Sequence, residues 1–478
     1  MRKFDTNVQV LKYKVLKEVA RLAFTDQLDT GILDIAKKII PGPKATMRCC
    51  IYKERAIVNE RVKVAMGVGH REDSVIEVLN IACDECPVTQ ISVGDSCRGC
   101  IAHRCQNVCP KGAISFVNQK AVIDHSKCVL CGKCMAACPY SAITKNQRPC
   151  EKACKAGAIQ MDEDRKAVID DEKCISCGAC VYQCPFGAIT DRSFILDCIN
   201  LLKDSQKNGT RVYAVVAPSI SGQFGDVKIG QVVTGLKKLG FYNVVEAALG
   251  ADIVAYKEAA ELAEKGFLTS SCCPAFVEYI QKHFPELQKL ISHNLSPMAE
   301  ISRYIKQTHK NVKVVFIGPC TAKKKEIMQE HVRPYVDCTI TFEELQALFD
   351  SRDIELTELE EGVLDNASYY GRIFARCGGL SDAVAQALKE HNITEEAFKL
   401  RSGVCDGLDA CRMALLKASK GKSDVNFIEG MACDQGCIGG PACLTHGAKE
   451  KAEVDRYGRE AMEKNITDAI SVLGILDL

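Results

Sequence analysis

The residues best suited to chemistry in this 478-residue chain are its 29 cysteines, many of which stand at fixed spacings. Two runs share the pattern Cys-x-x-Cys-x-x-Cys-x-x-x-Cys-Pro: Cys128, Cys131, Cys134 and Cys138 form the first, and Cys174, Cys177, Cys180 and Cys184 form the second. Three closely spaced thiolates can wrap one [4Fe–4S] cubane while the fourth cysteine reaches a second cluster. The spacing therefore predicts electron transfer through iron–sulfur clusters.

An internal repeat extends this pattern over residues 91–192. One six-residue unit occurs in four variants. The first is Cys-Pro-Lys-Gly-Ala-Ile at 109–114, and the others lie at 138–143, 154–159 and 184–189. Short apolar strands are expected after two of them, at 121–124 and 167–170. The runs resemble those of bacterial [4Fe–4S] ferredoxins, and four half-ferredoxin units predict two tandem ferredoxin-like folds.

The crossover of the fourth cysteine predicts the ligands of three accessory cubanes. They are Cys97, Cys100, Cys105 and Cys138 for the first; Cys109, Cys128, Cys131 and Cys134 for the second; and Cys154, Cys174, Cys177 and Cys180 for the third. Zinc would need a closed tetrahedral set, and the repeated runs of three with Cys-Pro tails favour iron–sulfur instead.

Four cysteines of this region remain without a cluster: Cys83, Cys86, Cys150 and Cys184. They could form a fourth accessory cluster, which would use every cysteine of the region from residue 83 to 184. A degenerate half-ferredoxin that has lost its cluster explains the same pattern, so both interpretations stay open. The vicinal pair Cys49 and Cys50 has no partners at ligand spacing.

A second set of thiolates lies in three separated segments downstream. The segments are TSSCCPAF at 269–276, GPCTAKKKE at 318–326 and EGMACDQGCIGG at 429–440. One thiolate from each of the first two and two from the third complete a set of four metal ligands. The lysines after Cys320 would favour its thiolate form, and the glycines after Cys437 would let backbone approach a bulky ligand.

These segments resemble the three signature motifs of [FeFe]-hydrogenases, and the resemblance covers residues 211–443. It implies an H-cluster, a [4Fe–4S] cube bridged by a cysteine thiolate to a two-iron unit that carries CO, cyanide and a dithiolate amine. The implied cube ligands are Cys273, Cys320, Cys433 and Cys437, with Cys437 as the bridge. Cys272 would be the proton-transferring thiol, Lys323 would pair with a cyanide, and the pocket would include Ala217, Pro218, Ser219, Phe374 and Met431.

The resemblance also implies a proton path. Glu258 and Glu261 match the acidic helix of the family, and their i, i+3 spacing places both carboxylates on one helix face. Ser292 matches the relay serine, which gives the order Cys272, Glu258, Ser292, Glu261. Without the cysteine motifs, the same two glutamates would be interpreted as a solvated helix face.

Several residues around the implied centre depart from the best-studied members. Gly318 replaces a methionine, Ala275-Phe276 replaces Gly-Trp, Met298 replaces a glutamine, and Lys265 replaces an arginine at the outer end of the proton path. The implied ligands are intact while their surroundings differ. The pattern therefore resembles a divergent branch of the catalytic family.

Composition and periodicity place these motifs in three regions. Residues 1–90 are expected to be mostly helical, 91–192 to hold the tandem ferredoxin-like modules, and 193–478 to be α/β. The resemblance implies that residues 193–478 form a two-lobed catalytic domain of the iron-hydrogenase type, which gives a multidomain α+β and α/β fold. The 62 basic and 61 acidic residues give no stripe suited to nucleic acid. Without a signal or membrane-spanning segment, a soluble cytoplasmic protein is expected.

The leading functional hypothesis is reversible proton reduction to H2, with three to four accessory [4Fe–4S] clusters relaying electrons. Soluble ferredoxin or flavodoxin is the expected electron partner, and the resemblance implies dedicated hydrogenase maturases. Cys377, Cys405, Cys411 and Cys443 are interpreted as buried or incidental thiols. The alternatives are a non-catalytic hydrogenase-like iron–sulfur assembly protein, an H2 sensor, and an electron-transfer subunit of a larger oxidoreductase.

Overall fold

The computed structural model describes residues 4–69, 71, 73–84 and 86–474. The chain begins with four helices: α1 (Asn7–Phe24), α2 (Leu28–Gly31), α3 (Ile35–Ile39) and α4 (Ile51–Ala65). A capping box between Thr6 and Gln9 starts α1, and its buried residues Val15, Val19 and Leu22 recur at helical spacing. This periodicity explains why α1 lies as a helix against its neighbours.

Short strands and helices follow between residues 76 and 191. They are β1 (Ile76–Val78), β2 (Gln90–Val93), α5 (Arg104–Asn107), β3 (Ile114–Val117), β4 (Lys120–Ile123), α6 (Lys133–Ala137), β5 (Ile143–Asn146), α7 (Pro149–Ala153), β6 (Ile159–Met161), β7 (Ala167–Ile169), α8 (Ala179–Gln183) and β8 (Ile189–Asp191).

These elements form two ferredoxin-like modules, one inserted into the other. In the inner module, β2 pairs antiparallel with β5, and the β3–β4 hairpin lies between them in sequence. In the outer module, β1 pairs antiparallel with β8, and β6 pairs with β7. The inner module therefore interrupts the outer one after β1, so the two folds are nested rather than consecutive. The expected boundary near residue 90 falls inside this arrangement.

The remainder of the chain forms the C-terminal domain. Its elements are α9 (Ile195–Asn208), β9 (Arg211–Val216), α10 (Ile229–Leu239), β10 (Asn243–Glu246), α11 (Ala247–Lys265), β11 (Leu268–Thr269), α12 (Pro274–His283), α13 (Pro297–Thr308), β12 (Val312–Gly318), α14 (Ala322–Glu326), β13 (Cys338–Thr341), α15 (Phe342–Ser351), α16 (Tyr369–Ile373), α17 (Gly379–Glu390), β14 (Ser402–Asp406), α18 (Gly407–Ser419), β15 (Phe427–Met431), α19 (Lys449–Arg459) and α20 (Ile466–Ser471).

Two separate parallel sheets give this domain its two lobes. One sheet has the strand order β10-β9-β12-β13, and the other has the order β11-β15-β14. Strands β9, β12, β13 and β15 are buried on both faces, as in the fully buried run Val314–Ile317 of β12, whereas the edge strand β14 is mostly exposed. Helices connect the parallel strands, as expected for an α/β domain. The fold class predicted from the sequence is therefore confirmed.

A buried ion network joins the three regions. Nζ of Lys324, on α14, lies 2.9 Å from Oδ2 of Asp191, on β8, and 2.9 Å from Oε1 of Glu344, on α15. Lys12, on α1, contacts Asp191 and Glu343 of the same network. All of these carboxylates are buried, so each depends on its lysine partner. The N-terminal helix, the outer module and the C-terminal domain are thereby fixed to one another.

Within the described residues, none of the helices combines the length and the apolar character that a membrane span requires.

Candidate active site and cluster cavities

Four strand ends converge on one cavity of the C-terminal domain. Ala217 follows β9, Cys320 follows β12, Cys273 follows β11 and Cys433 follows β15. Because the strands within each sheet are parallel, their carboxyl ends lie together, and the two sheets present these ends to the same cavity. The three cysteine segments singled out in the sequence thus meet one another and Ala217, although Ala217 and Cys433 are 216 positions apart in the chain.

The cavity is lined by every residue that the sequence predicted for the cube and its pocket. The residues are Cys273, Cys320, Cys433 and Cys437, together with Cys272, Lys323, Ala217, Pro218, Ser219, Phe374 and Met431. Burial raises the pKa of Cys320 to about 11, and the nearby charge of Cys273 adds to the shift. The four thiols that line this cavity are a donor set suited to a metal cluster, whose positive charge stabilises the thiolates.

The walls of the cavity suit a compact cofactor with a polar edge. Small or apolar residues form most of the lining, among them Ala247, Ala248, Ala251 and Pro297. Lys323 is the only cation among the lining residues, and it is buried. The donor set, the apolar wall and the single cation fit the H-cluster that the sequence resemblance implies, so its ligands and pocket residues stay a consistent prediction.

Two of the departures from the best-studied hydrogenases have a steric explanation. A Cβ atom at Gly318 would lie 2.6 Å from Cε1 of Phe316, whose ring lines the cavity. Phe316 therefore occupies the space beside Gly318 and leaves no room for a longer side chain. Similarly, a Cβ atom at Gly430 would lie 2.2 Å from Cε1 of Phe276, so that ring packs directly on the backbone of β15. Met298 also lines the cavity.

Cys272 lies beside the predicted cube ligands, at the inner end of the predicted proton path. Burial raises its pKa well above the ordinary value, and the charges of Cys273 and Glu258 add to the shift. Glu258 lies on α11 and is itself fully buried. Neither of its carboxyl oxygens has a hydrogen-bond partner among the described residues. Burial raises the pKa of Glu258 to about 8, which allows this carboxyl group to hold and release a proton near neutral pH.

The outer end of this path is a hydrogen-bonded group around Glu261. The hydroxyl of Ser292 donates to Oε2 of Glu261 at 3.2 Å, and Nδ2 of Asn294 donates to the same oxygen at 2.9 Å. Lys265 donates to Oε1 of Glu261 at 2.7 Å, and Nδ1 of His293 lies 2.6 Å from that oxygen. Burial alone would raise the pKa of Glu261, but the hydrogen bonds from Lys265 and His293 outweigh it and lower the pKa.

His293 and Asn294 were not predicted from the sequence. They follow Ser292 directly, and His293 is mostly exposed while it contacts Glu261. Their only sequence signal is adjacency to the relay serine. The imidazole of His293 therefore lies between Glu261 and solvent, because its side chain is 71% exposed.

Lys323, which lines the cavity, is held in place by two contacts. Its Nζ lies 2.6 Å from Oε2 of Glu326 and donates to the backbone oxygen of Cys272 at 3.4 Å. Glu326 is also buried. This arrangement holds the ammonium group at the cavity wall next to the loop that carries Cys272 and Cys273.

Separate cavities collect the accessory cysteines in the predicted sets. One is lined by Cys97, Cys100, Cys105 and Cys138, and another by Cys109, Cys128, Cys131 and Cys134. The third predicted set consists of Cys154, Cys174, Cys177 and Cys180. Burial raises the pKa of Cys180, and the next largest contributions are the charges of the other three cysteines, which shows that the four lie close together. The crossover pairing predicted for these sets agrees with the cavities.

The leftover cysteines also share a cavity, which is lined by Cys83, Cys86, Cys150 and Cys184. Burial raises the pKa of Cys150 to about 12, and the charges of Cys184, Cys83 and Cys86 act on it. This grouping favours the fourth cluster over the degenerate half-ferredoxin. The nested fold explains it, because Cys83 and Cys86 belong to the outer module although the inner module separates them from Cys150.

Repeated N–H···S hydrogen bonds support the equivalence of the modules. In each of the four repeat units an alanine N–H donates to the cysteine four residues earlier; the pairs are Ala113–Cys109, Ala142–Cys138, Ala158–Cys154 and Ala188–Cys184, at 3.2–3.4 Å. The N–H of Ala121 donates to Cys97, and the N–H of Ala167 donates to Cys83. Cys83 therefore occupies in the outer module the place that Cys97 has in the inner one.

The third accessory site lies next to two other groups of cysteines. Burial raises the pKa of Cys177, and the charge of the nearby Cys273 adds to the shift. Burial also raises the pKa of Cys433, and there the charge of Cys177 adds to the shift. The charge of Cys150 likewise acts on Cys180. The third accessory site thus adjoins both the active-site cavity and the fourth accessory site.

The remaining cysteines lie outside these groups. Cys198, Cys338, Cys405, Cys411 and Cys443 are buried, and Cys377 is half-buried beside Glu429. Cys49 and Cys50 are exposed, with their sulfur atoms 4.0 Å apart. None of these eight cysteines lines a cluster cavity described above.

Comparison with known protein families agrees with this architecture. The family model of the iron-only hydrogenase large subunit, C-terminal domain, matches residues 210–441. A 4Fe-4S dicluster domain matches residues 96–142, which is the inner module, and a 4Fe-4S binding domain matches residues 167–190 of the outer module.

Similar proteins are found among hydrogenases and beyond. The chain is 28% identical over 402 residues to iron hydrogenase 1 of Clostridium pasteurianum, covering 72% of this chain and 69% of that protein. It is 28% identical over 373 residues to the periplasmic [Fe] hydrogenase large subunit of Nitratidesulfovibrio vulgaris, covering 66% of this chain and 85% of that protein. Cytosolic iron-sulfur assembly component 3 of Rattus norvegicus is 23% identical over 283 residues, covering 48% of this chain and 58% of that protein.

A solved structure shares the fold of the C-terminal part. The [FeFe]-hydrogenase HydA1 from Chlamydomonas reinhardtii aligns with a TM-score of 0.51 and 21% sequence identity, covering 60% of this chain and 94% of that chain. This likeness establishes the fold of the domain that holds the cavity.

Proposed function

We propose that this chain, a divergent [FeFe]-hydrogenase-like protein with ferredoxin-like domains, catalyses the reversible reduction of protons to dihydrogen, 2H⁺ + 2e⁻ ⇌ H2. The observation that carries the proposal is that Cys272 shares one buried cavity with the four predicted cube ligands, while its neighbour Glu258 interacts electrostatically with it. An iron–sulfur scaffold without catalysis has no use for a buried proton donor at this position.

The H-cluster, when bound, supplies the redox-active iron at which protons and electrons combine. Cys273, Cys320, Cys433 and Cys437 would hold it, and Lys323 would place a positive charge at its edge. The apolar walls would exclude bulk water from this centre. These residues bind and orient the cofactor and do not themselves take part in electron storage.

The chain's own titratable residues would transfer the protons. Cys272 would exchange a proton with Glu258, whose pKa of about 8 allows both protonation states near neutral pH. Ser292, which is hydrogen-bonded to Glu261, would connect the buried carboxyl group to the outer one. Glu261, Lys265 and His293 would then exchange the proton with solvent.

Electrons would reach the cavity through the four accessory sites. The third site, of Cys154, Cys174, Cys177 and Cys180, adjoins the active-site cavity and would deliver the electrons there. The fourth site, whose Cys150 follows the last strand of the inner module by four residues, would link the third site to that module. A soluble ferredoxin or flavodoxin would supply the electrons, and dedicated hydrogenase maturases would install the two-iron unit.

Infrared spectroscopy on anaerobically produced protein tests this proposal against the assembly alternative. Protein co-produced with hydrogenase maturases should show CO and cyanide bands and should evolve H2 from reduced methyl viologen. Protein produced without maturases should keep its cubanes but show neither the bands nor activity. Absence of both signals from the matured protein would favour the non-catalytic iron–sulfur role, which its similarity to the cytosolic assembly component raises.

A further inference from the structure

The inner ferredoxin-like module carries a charge that the rest of the chain does not share. Residues 90–146 contain seven lysine and arginine residues, two aspartates and no glutamate, which gives a formal net charge of +5. The whole chain has a formal net charge of only +1. Positive charge is therefore concentrated on the module that lies farthest along the cluster path from the active-site cavity.

One face of this module brings a cluster ligand to the surface. Cys131 is the only exposed cysteine among the predicted accessory ligands. It lies in the segment Lys127-Cys-Val-Leu-Cys-Gly-Lys133, in which Val129 is 56% exposed and Leu130 is 37% exposed. Lys111 and Val129 line the cavity that Cys131 shares with its partner ligands. We call the surface formed by Lys111, Lys127, Val129, Leu130 and Lys133 the Cys131 face.

The cations of the Cys131 face are available to a partner. Lys127 pairs with Asp124 at 3.2 Å, three residues earlier on an exposed surface. Within the described part of the chain, no acidic side chain forms an ion pair with Lys111 or Lys133, and both are exposed. Unpaired cations around an exposed apolar centre match the composition of transient electron-transfer interfaces, which are small and steered by charge.

We propose that the Cys131 face is the docking surface for an acidic protein that carries single electrons, and that the cluster held by Cys109, Cys128, Cys131 and Cys134 is the entry point. Val129 and Leu130 would contact an apolar patch around the partner's redox centre. Lys111 and Lys133 would attract its carboxylates and orient it. The inference rests on the proposed hydrogenase function for its direction of electron flow, but docking itself requires only the accessory clusters.

The path from this face inward follows the nested fold. The entry cluster and its neighbour lie in the inner module, whose last strand β5 ends at Asn146, just before Cys150 of the fourth site. From there the third site adjoins the active-site cavity. An electron accepted at the Cys131 face therefore has successive cluster sites along the remaining distance.

Charge reversal at Lys111 and Lys133 tests the proposal. The variant K111E/K133E and the matched control K310E/K422E carry the same change in net charge, because Lys310 and Lys422 are exposed lysines of the C-terminal domain. The full protein with its accessory clusters is mixed with a reduced, acidic bacterial-type [4Fe–4S] ferredoxin. The absorbance of the accessory clusters then gives the second-order rate of their reduction at low and high salt.

We expect K111E/K133E to lower this rate at low salt by about 10-fold or more, the scale of electrostatic steering, and to flatten its salt dependence. The control should stay within about 2-fold of the unmodified protein, and reduction by methyl viologen radical should be equal in all three proteins. Equal rates for both variants, or faster reduction by a basic electron carrier than by the ferredoxin, would overturn the proposal. Because cluster reduction is measured without H2, the result stands apart from the test of hydrogenase activity.

Discussion

Nζ of Lys324 lies 2.9 Å from Oδ2 of Asp191, and both side chains are fully buried. Lys324 stands four residues after Cys320 and directly after Lys323, whereas Asp191 ends strand β8 of the outer module. The same ammonium group donates to Glu344 and to the backbone oxygen of Arg192. One buried cation therefore joins the loop that carries a predicted cube ligand to the module that carries the neighbouring accessory site.

Replacing Lys324 with methionine should destabilise the protein and disturb the active-site cavity. The change removes the lysine that pairs with Glu344 and leaves Asp191 with Lys12 as its lysine partner, and breaking such a buried ion pair costs about 3–5 kcal/mol. Anaerobic denaturant unfolding should show the loss, and iron content should show partial loss of the site cube. Lys325→Met is the matched control, because Lys325 is partly exposed and, among the described residues, donates to a backbone oxygen and to no carboxylate. An equal effect of both substitutions would contradict this role of the network.

The double substitution Cys83→Ala/Cys86→Ala should remove the fourth accessory cluster. We expect a loss of about four irons per chain, since one [4Fe–4S] cluster has two of its four ligands deleted. Cys49→Ser/Cys50→Ser is the control, because that pair is exposed and lies outside the cavity of Cys150 and Cys184. Unchanged iron in the first variant would return Cys83 and Cys86 to a structural role.

The cysteine spacings were sufficient to predict three accessory sites, but they left the fourth open for a physical reason. A cluster ligand set depends on which strands pair, and β1 pairs with β8 across more than 100 residues of chain. The inner module separates Cys86 from Cys150, so no local spacing relates them. The repeat units alone therefore predict the folds, whereas their nesting depends on pairing that is not local.

The active-site motifs were predictable because each follows a buried strand and carries its ligand within a few residues. The residues that surround these motifs were not predictable. Phe316, for example, fills the space beside Gly318 through packing at the end of the sheet. The contacts of His293 and Asn294 with Glu261 likewise depend on tertiary structure. The backbone N–H of Ser292 donates to the backbone oxygen of Thr269 at 2.9 Å, and this bond positions the two residues that follow Ser292. Such contacts arise from tertiary packing and leave no periodic signal in the sequence.

Cys272→Ser should separate proton transfer from cofactor binding. A hydroxyl is far less acidic than a thiol, so turnover should fall by about 10²-fold or more while iron content and the CO and cyanide bands stay unchanged. Cys198→Ser, at a buried cysteine on α9 outside the cavity, should keep full activity. Loss of the site cube in Cys272→Ser would show that Cys272 is a ligand and would overturn the assignment of Cys273.

Glu258→Gln should reduce turnover by about 10²-fold, the scale expected when a positioned proton-transfer group is removed. The amide keeps the volume of the side chain but cannot exchange the proton, so cluster loading and reduction of the accessory clusters by dithionite should be unchanged. Glu261→Gln should have a smaller effect, because His293 and water reach the outer end of the path. Full H2 evolution by Glu258→Gln would mean that protons bypass α11.

The same substitution should also change how stability depends on pH. Burial raises the pKa of Glu258 to about 8 from an ordinary value of 4.5, so the folded protein holds this proton more tightly than the unfolded chain does. The contribution to stability is thus fully present below pH 4.5 and is lost as the pH rises toward 8. Glu258→Gln lacks this loss, so its melting temperature relative to the unmodified protein should increase between pH 6 and pH 9. A constant difference across that range would show that Glu258 titrates at its ordinary pKa and is not a buried proton carrier.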